Sequence, residues 1–352
     1  MNRKLFRASL IVRVTSVVLL PLIFTSQVLA QKTRFAVIGD YGSSIDKKLQ
    51  PNEQQVADMV KSWNPSFIIT VGDNNYSCGA ALTLDENIGN YYCDFIYNPG
   101  ATAGTVCTGK AADDKTNYFF PSLGNHDWYT PNAQPYLDYF TQLPGNRRYY
   151  DFVQGPIHFF ALDSESTRAC KKSGDYDEEL PDPGKCPQKC AQEPDGTTHH
   201  SKQARWLKAA LKKSKSPWKL VFFHRPPYSC GDAATWMRWP FEHWGVNAVL
   251  AGHHHVYERI VKKSSLNFPY FVNGVGGIHL AKCHPHNIKK GLPSTKFDAV
   301  NIVNSYGAML VEATETEIVF KFHIVGGQNG VVKDTCTLSK SKGGQTLSCS
   351  QS

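Results

Sequence analysis

The chain has 352 residues, of which 41% are hydrophobic and 19% are charged, and its formal net charge is +8 at pH 7. Without the four basic residues of positions 1–30 (Arg3, Lys4, Arg7 and Arg13), the charge falls to +4. No block of like charge indicates a disordered tail, and no basic patch is interleaved with aromatic residues, which argues against nucleic acid as a partner. The apolar content is enough for one large domain or two small ones.

Residues 1–30 differ in kind from the rest of the chain. They begin with Asn2-Arg3-Lys4, continue with a largely apolar run at 17–28, and end at Val28-Leu29-Ala30, which resembles a cleavage site. This pattern is typical of a secretory signal peptide. The alternative is an uncleaved membrane anchor, but the apolar run is short for a span and contains Pro21. We therefore predict an exported protein, periplasmic or secreted, with no membrane span after cleavage.

All ten cysteines follow Ala30 and fall into local groups. An even number of cysteines in an exported chain favours disulfides over reduced thiols. The alternative of a zinc site at Cys186 and Cys190 is disfavoured, since no matching His/Cys pair follows. The spacing does not reveal the pairing. The groups are Cys78, Cys93 and Cys107; Cys170, Cys186 and Cys190; Cys230 and Cys283; and Cys336 and Cys349.

The first predicted unit of the mature chain is strand–helix–strand. The apolar segment 34–38 predicts a strand ending at Gly39-Asp40-Tyr41-Gly42, and residues 51–63 have apolar side chains at helical spacing. The β-branched run 67–71 predicts a second, buried strand. Residues 77–116, rich in Gly, Asn, Thr and Cys, are interpreted as a loop held by disulfides.

The remaining segments predict one α/β domain over 31–335, since the chain has no internal repeat and no break in composition. A second Cys- and Pro-rich insertion occupies 164–198, and residues 336–352 are interpreted as a polar C-terminal tail. The other predicted elements are strands at 149–152, 157–162, 218–223 and 248–251, helices at 200–214 and 236–244, and antiparallel strands at 270–275, 306–312 and 315–324.

Five predicted strands, counting the run at 117–123 before Asn125, lead into polar residues that can bind a cation. In open α/β sheets, ligands bind at the carboxyl ends of the strands. Each of these residues alone has an ordinary explanation as a turn or structural residue, but five such endings in one chain indicate a site. The residues are Asp40, Asp73, Asn125, His224, and the pair His253 and His255.

The candidate ligands can form two cation sites. His253 and His255 lie two residues apart on extended backbone, so both point to one side while His254 points away. One site takes Asp40, Tyr76, His255 and the shared Asp73, and a phenolate ligand suits iron(III). The other takes Asp73, Asn125, His224 and His253, which suits a divalent iron, zinc or manganese ion. A trivalent and a divalent ion, less the three charges of the anionic ligands, give the site a net charge of about +2. This charge favours a phosphate dianion as the substrate group, and two-metal sites can bind such a group between both ions.

The ordered motifs resemble the metallophosphoesterase superfamily. They are Gly39-Asp40-Tyr41-Gly42, Gly72-Asp73-Asn74-Asn75-Tyr76, Gly124-Asn125-His126-Asp127, His224-Arg225-Pro226-Pro227 and Gly252-His253-His254-His255. The tyrosine three residues after Asp73 resembles the purple acid phosphatases, especially their small, tartrate-resistant type. This resemblance implies a four-layer α/β/β/α sandwich with two mixed sheets. It also implies a di-iron, iron–zinc or iron–manganese centre that hydrolyses phosphomonoesters at acid pH.

The chain also departs from the family pattern. His254 stands where the small members commonly carry an acidic residue, and the segment 228–232 lacks the extra histidine that related enzymes often place near the substrate. The two Cys-rich insertions lie outside the family core. Because Asn75-Tyr76-Ser77 is the sole glycosylation sequon and overlaps the site, we expect it to be unused.

The expected reaction is in-line attack on phosphorus by a hydroxide held at the metals, with His126 as the proton donor to the leaving group and Asp127 as its orienting partner. The alternative for His126 is that it only supports Asn125. His254 is expected to be substrate-side or purely structural. Small phosphorylated substrates and a monomeric state are expected.

Two other functions stay open at this point. One is a phosphodiesterase or nucleotidase of the same fold that uses two divalent ions, with Tyr76 incidental. The other, from a different class, is an exported iron-binding or redox protein without hydrolase activity.

Overall fold

Two seven-stranded sheets form the centre of the protein. The computed structural model describes residues 32–42, 44–45, 48–49, 51–166, 186, 193–284, 286, 292 and 295–351. The predicted signal peptide, Cys170, Cys190 and most of the second insertion lie outside the described residues. The described residues belong to one compact unit.

The strands and helices follow in chain order. The strands are β1 (Thr33–Ile38), β2 (Ser44–Ile45), β3 (Lys48–Leu49), β4 (Phe67–Thr70), β5 (Phe119–Pro121), β6 (Tyr150–Gln154), β7 (Ile157–Ala161), β8 (Trp218–Phe222), β9 (Ala248–Ala251), β10 (Tyr257–Lys262), β11 (Ser265–Asn273), β12 (Phe297–Val303), β13 (Gly307–Ala313), β14 (Glu317–Ile324), β15 (Val331–Ser341) and β16 (Gly344–Gln351). The helices are α1 (Pro51–Ser62), α2 (Asn90–Tyr92), α3 (Lys110–Asp113), α4 (Gln134–Tyr139) and α5 (Lys202–Lys213).

Both large sheets are mixed. The first has the strand order β16-β15-β14-β13-β1-β4-β5, with β1, β4 and β5 parallel and the β13–β16 side antiparallel. The second has the order β12-β10-β11-β9-β8-β7-β6, in which β7, β8, β9 and β11 are parallel. A short β2–β3 hairpin stands apart from them.

Aromatic side chains fill the space between the two sheets. Phe35 of β1 meets Phe159 of β7 edge to face at 5.1 Å, and Phe271 of β11 lies 4.8 Å from Phe320 of β14. Such rings bury large apolar areas, so they supply much of the core's stability. The two long helices complete the architecture. The buried side chains of α1 pack with those of the first sheet, and the buried side chains of α5 pack with Phe160, Val221 and Val249 of the second sheet. This arrangement confirms the predicted α/β/β/α sandwich.

Helix α5 forms where its spacing predicts. Ser201 caps the amino end by accepting a hydrogen bond from the Ala204 N–H, which satisfies one of the helix's free donors. Ala204, Leu207 and Leu211 share one face and are buried. The helix predicted at 236–244 is wrong, because only a 3₁₀ turn at Thr235–Met237 forms there. Pro240, which has no backbone N–H, stands in the way of a longer helix.

The predicted tail is also wrong, because residues 336–351 lie within β15 and β16 at the edge of the first sheet. Along β15 the side chains of Asp334, Cys336 and Leu338 alternate inward and are buried. The inward Asp334 accepts hydrogen bonds from Arg259 Nε at 2.7 Å and from the Tyr257 hydroxyl at 2.7 Å. Because one of the inward residues of β15 is polar, the strand does not show the alternation of apolar and polar residues by which strands are predicted.

Four disulfides lie among the described residues and confirm the predicted pairing for eight of the ten cysteines. They are Cys78–Cys186, Cys93–Cys107, Cys230–Cys283 and Cys336–Cys349. The bond to Cys78 rules out the alternative of zinc at Cys186. In the described part of the chain, no helix has the length and apolar character needed to cross a membrane.

We expect Asp334→Asn to lower the free energy of unfolding by about 3–5 kcal/mol, because it leaves the buried Arg259 without a counter-ion. Urea unfolding checks this. The matched control is Lys202→Gln, which removes a salt bridge to Asp195 whose lysine is 67% exposed, and which should cost less than about 1 kcal/mol. Equal effects of the two substitutions would contradict the interpretation.

Candidate metal centre

The predicted ligands come together at the carboxyl ends of strands from both sheets. Asp40 and Asp73 follow β1 and β4, which are parallel neighbours in the first sheet. His224 and His253 follow β8 and β9, which are parallel neighbours in the second. The site therefore lies where the carboxyl ends of the two sheets meet, the position expected for an α/β ligand site.

The backbone at these strand ends is tightly constrained. Asp40, Asp73 and His253 have positive φ angles of 54°, 49° and 69°, which residues other than glycine seldom adopt and which tend to collect at functional sites. Gly72 has φ 89°, and a Cβ there would lie 2.7 Å from the Cβ of His224. A Cβ on Gly124 would collide with the Asp73 carboxylate. Glycine at both positions lets the two strand ends approach.

The first cluster is defined by Asp40, Tyr76, His255 and Asp73. Tyr76 Oη lies 2.9 Å from Asp73 Oδ2, 3.2 Å from Asp40 Oδ1 and 3.3 Å from His255 Nε2. His255 Nε2 lies 3.4 Å from Asp40 Oδ1. Asp40, Asp73 and Tyr76 are at most 2% exposed, so water is largely excluded from this side.

The second cluster is defined by Asp73, Asn125, His224 and His253. His224 Nε2 lies 3.0 Å from Asn125 Oδ1, 3.2 Å from Asp73 Oδ2 and 3.2 Å from His253 Nδ1. His224 Nδ1 donates to the Val71 carbonyl at 2.9 Å, which leaves the lone pair of Nε2 directed into the cluster. The same Asp73 oxygen, Oδ2, belongs to both clusters.

The chemistry of these atoms fits two cations that share Asp73. The facing atoms are carboxylate, amide and phenol oxygens and imidazole nitrogens, and most of them can only accept hydrogen bonds or bind a cation. Neighbouring ligands of an ion bound at about 2.1 Å lie roughly 3 Å apart. The separations of 2.9–3.4 Å within the clusters match that spacing.

The electrostatics of the clusters favour added positive charge. Burial disfavours a charged His224, but the carboxylates of Asp73 and Asp40 outweigh burial and raise the pKa of His224 to about 10. Burial opposes ionisation of Asp73, yet the imidazoles of His224 and His126 lower its pKa. The carboxylates therefore attract either a proton on the imidazole or a cation bound by the same atoms.

His126 lies beside the clusters. Its Nδ1 donates to the Ser77 carbonyl at 2.6 Å, and its Nε2 lies 3.9 Å from Asp73 Oδ2. The ring is packed against Tyr76, with centroids 4.2 Å apart. His126 is thus fixed with one nitrogen toward the site.

Asp127 has a different contact from the one predicted. Its carboxylate accepts hydrogen bonds from the Asn74 side chain at 2.9 Å and from the Gly124 N–H at 2.9 Å. The orienting contact to the His126 imidazole instead comes from the Ser77 carbonyl. Burial and the charge of Asp73 raise the pKa of Asp127 to about 7. Asp127 therefore holds together the two turns that carry Asp73 and Asn125.

His254 points away from both clusters, as predicted, but the extended backbone on which that prediction was based is wrong, because His253 has a φ angle of 69° and residues 253–255 form bends. Its Nδ1 lies 2.9 Å from Glu258 Oε1 and 3.0 Å from Ser229 Oγ, and its ring lies against Gly231. Cys230, which forms a disulfide with Cys283, contacts the same imidazole. These contacts favour the structural role for His254 over a substrate-side one.

Sequence reasoning missed several supporting residues. Asn74 bonds Asp127 and the Ser122 carbonyl, and it accepts from the Tyr41 hydroxyl at 3.1 Å. Its position inside the Gly72–Tyr76 motif was the available signal. Arg225, buried beside His253, follows a predicted ligand but has no spacing that reveals its partner.

The sequon asparagine also has a structural role. Asn75 is 1% exposed, donates to the Ala80 carbonyl at 2.8 Å, and accepts from Thr83 and Asn87. The Asn75 side-chain amide is therefore buried and hydrogen-bonded within the protein. This agrees with the expectation that the sequon is not glycosylated.

Comparison with known proteins identifies relatives of this chain. A model of the calcineurin-like phosphoesterase family matches residues 33–257. An acid phosphatase of Aspergillus ficuum is 28% identical over 231 residues, which cover 54% of this chain and 37% of that protein. The chain thus spans little more than a third of that curated relative.

Two solved structures share the fold. Purple acid phosphatase PPD1 from yellow lupin (Lupinus luteus) seeds superposes with a TM-score of 0.60 at 16% identity, over 88% of this chain and 54% of the lupin chain. GAP50, the anchor in the inner membrane complex of Plasmodium, gives a TM-score of 0.55 at 18% identity, over 88% of this chain and 90% of its own.

Asp73→Asn should remove both cations, because it takes the negative charge from the one oxygen that belongs to both clusters. Metal analysis of the dialysed protein should show a fall from about two ions per chain to well below one. His254→Gln is the control and should keep both ions, since His254 contacts neither cluster. Full retention of either ion in Asp73→Asn would argue against a shared ligand.

Proposed function

Because the chain belongs to the calcineurin-like phosphoesterase, or metallophosphoesterase, family, we propose that it is an exported acid phosphatase of the purple type that hydrolyses phosphomonoesters at a binuclear metal centre. The observation that carries this proposal is the shared Asp73 oxygen, which joins a phenol-containing cluster to a histidine-rich one. The resemblance to two acid phosphatases, in sequence and in fold, supports it.

The first cluster would hold iron(III), and the second would hold a divalent iron, zinc or manganese ion. Two carboxylates and a phenol are hard, anionic ligands that suit a trivalent ion, whereas Asn125 and two imidazoles suit a divalent one. When bound, the pair of ions supplies a nucleophile at acid pH and neutralises the phosphoryl oxygens during in-line displacement.

The protein's own residues orient and shield the reaction. Asn125 donates through Nδ2 to the Tyr129 hydroxyl at 3.2 Å, which turns its Oδ1 toward His224. His126 is held through Nδ1 by Ser77, and its Nε2 is the atom that delivers a proton to the leaving oxygen. Because Ser77 follows Tyr76 directly, one short turn positions both a first-cluster ligand and the proton donor.

Export and a monomeric state are part of the proposal. The four disulfides among the described residues are typical of an oxidising compartment outside the cytoplasm. The predicted signal peptide agrees with them. Small phosphorylated molecules are the proposed substrates.

The purified mature protein should hydrolyse an aryl phosphomonoester faster than the matching diester, with an optimum at acid pH. A net positive site favours the monoester, which carries more negative charge than the diester. A nucleophile with a low pKa stays deprotonated, and so remains reactive, in acid. Initial rates from acid to alkaline pH test this. Diester preference at neutral or alkaline pH would instead support the phosphodiesterase or nucleotidase alternative. Two retained metals without any ester hydrolysis would support an iron-binding or redox protein.

His126→Asn should lower kcat by about 10²–10⁴-fold while the metal content stays unchanged, because the variant loses the proton donor but no ligand. Steady-state kinetics and metal analysis of the same sample check this. An activated substrate whose leaving group needs no proton should be hydrolysed almost normally. Loss of metal would show instead that His126 supports Asn125.

A further inference from the structure

A buried ion pair links the start of the Cys-rich insertion to the second cluster. Arg225 Nε donates to Glu165 Oε2 at 2.9 Å and to Oε1 at 3.1 Å, and the Arg225 N–H donates to Ser164 Oγ at 2.8 Å. Arg225 is 2% exposed and Glu165 is 1% exposed. Glu165 thereby fixes the guanidinium of the residue that follows the ligand His224 in sequence.

The other edge of the guanidinium faces the ligand His253. Arg225 Nη1 lies 2.7 Å from His253 Nε2 and 3.4 Å from Asp232 Oδ2, and Asp232 Oδ2 lies 3.4 Å from the same Nε2. Because His253 Nδ1 points into the second cluster, Nε2 carries the ring proton when Nδ1 binds a cation. In that state the Nε2–H donates to Asp232, in the carboxylate–histidine arrangement that orients metal ligands, while Arg225, which can only donate, pairs with Asp232 and no longer with Nε2.

The energetics of the pair point to positioning rather than stability. Moving a guanidinium and a carboxylate out of water costs several kcal/mol, so a buried pair adds little net stability over apolar residues. The planar guanidinium can, however, donate to Glu165 through Nε and to Asp232 through Nη1 at once, because its donors lie in a fixed fork. A lysine or an apolar residue could not hold both carboxylates.

We propose that Glu165 is a positioning residue for the second cluster: acting through Arg225, it holds Asp232 in place to accept from the Nε2–H of His253 and so raises the affinity for the divalent ion. The start of the second insertion, at Ser164 and Glu165, thereby contributes to the metal centre. The inference rests on the proposed function for the assignment of iron(III) to the first cluster and of a divalent ion to the second.

Glu165→Gln tests this proposal, because it keeps the shape of the side chain and removes its charge. The full mature protein, with iron in the first cluster, is titrated with Zn²⁺ against a competing chelator. The zinc affinity of the variant should fall about 10–100-fold. The visible absorption from a Tyr76 phenolate on iron(III) should stay unchanged, which shows that the first cluster is intact.

Arg225→Lys is the second variant and should show the same selective loss of zinc, since lysine keeps the charge but not the fork. It also decides the matter if Glu165→Gln does not fold. The matched control is Asp334→Asn, which breaks the buried pair with Arg259 and should keep the wild-type zinc affinity.

Wild-type zinc affinity in Glu165→Gln or in a folded Arg225→Lys would overturn the proposal, as would an equal loss in Asp334→Asn. Phosphatase assays on the same samples separate this result from the proposed function. A wild-type protein that binds both ions but hydrolyses no ester would leave the positioning role intact and remove the phosphatase assignment.

Discussion

The arrangement on which the rest of the structure depends is one carboxylate oxygen, Asp73 Oδ2, placed between two groups of electron-pair donors. Tyr76 Oη lies 2.9 Å from it on one side and His224 Nε2 lies 3.2 Å from it on the other. Atoms with lone pairs repel one another at such distances unless a proton or a metal cation lies between them, and burial strengthens that repulsion. The fold must therefore supply a rigid frame that holds these atoms together.

That frame consists of hydrogen bonds that cross from one sheet to the other. His224, from the second sheet, donates to the carbonyl of Val71 at the end of β4 in the first. The His253 N–H, also from the second sheet, donates to Asp40 Oδ2 at 2.9 Å in the first. The ligands are thus themselves the contacts between the sheets at this edge, so the packing of the sandwich and the geometry of the centre are set by the same interactions.

The sequence predicts most of this centre because its ligands follow a simple rule. Asp40, Asp73 and His224 each stand next to the end of an apolar run, and parallel strands bring such ends together. The partner of His126 could not be predicted, because the contact is made by the Ser77 backbone carbonyl and any residue type has one. Asp127 was therefore given an orienting role that Ser77 performs.

The edge of the first sheet shows a second reason for failure. The prediction of a polar tail at 336–352 missed that residues 336–351 belong to β15 and β16. In β15, Asp334 occupies an inward position where the alternation rule requires an apolar side chain. Arg259 and Tyr257, both distant in sequence, make that carboxylate compatible with burial by donating hydrogen bonds to it, and nothing local in the sequence predicts this contact. The spacing of apolar residues along the chain predicts helices and strands, but it does not predict which buried charged residues form ion pairs with each other.

The two clusters differ in how far their support extends from the core. The ligands of the first are bound to one another and to turns at the ends of β1 and β4, and the Ile278 N–H donates to the Asp40 carbonyl, so this side belongs to the sandwich itself. The second depends on His253, whose outer nitrogen faces Arg225 and, through it, Glu165 of the insertion. A change in the insertion can therefore alter the second cluster while the first stays fixed. This separation supports the proposed division of the centre into a first cluster that holds iron(III) and a second that holds a divalent ion.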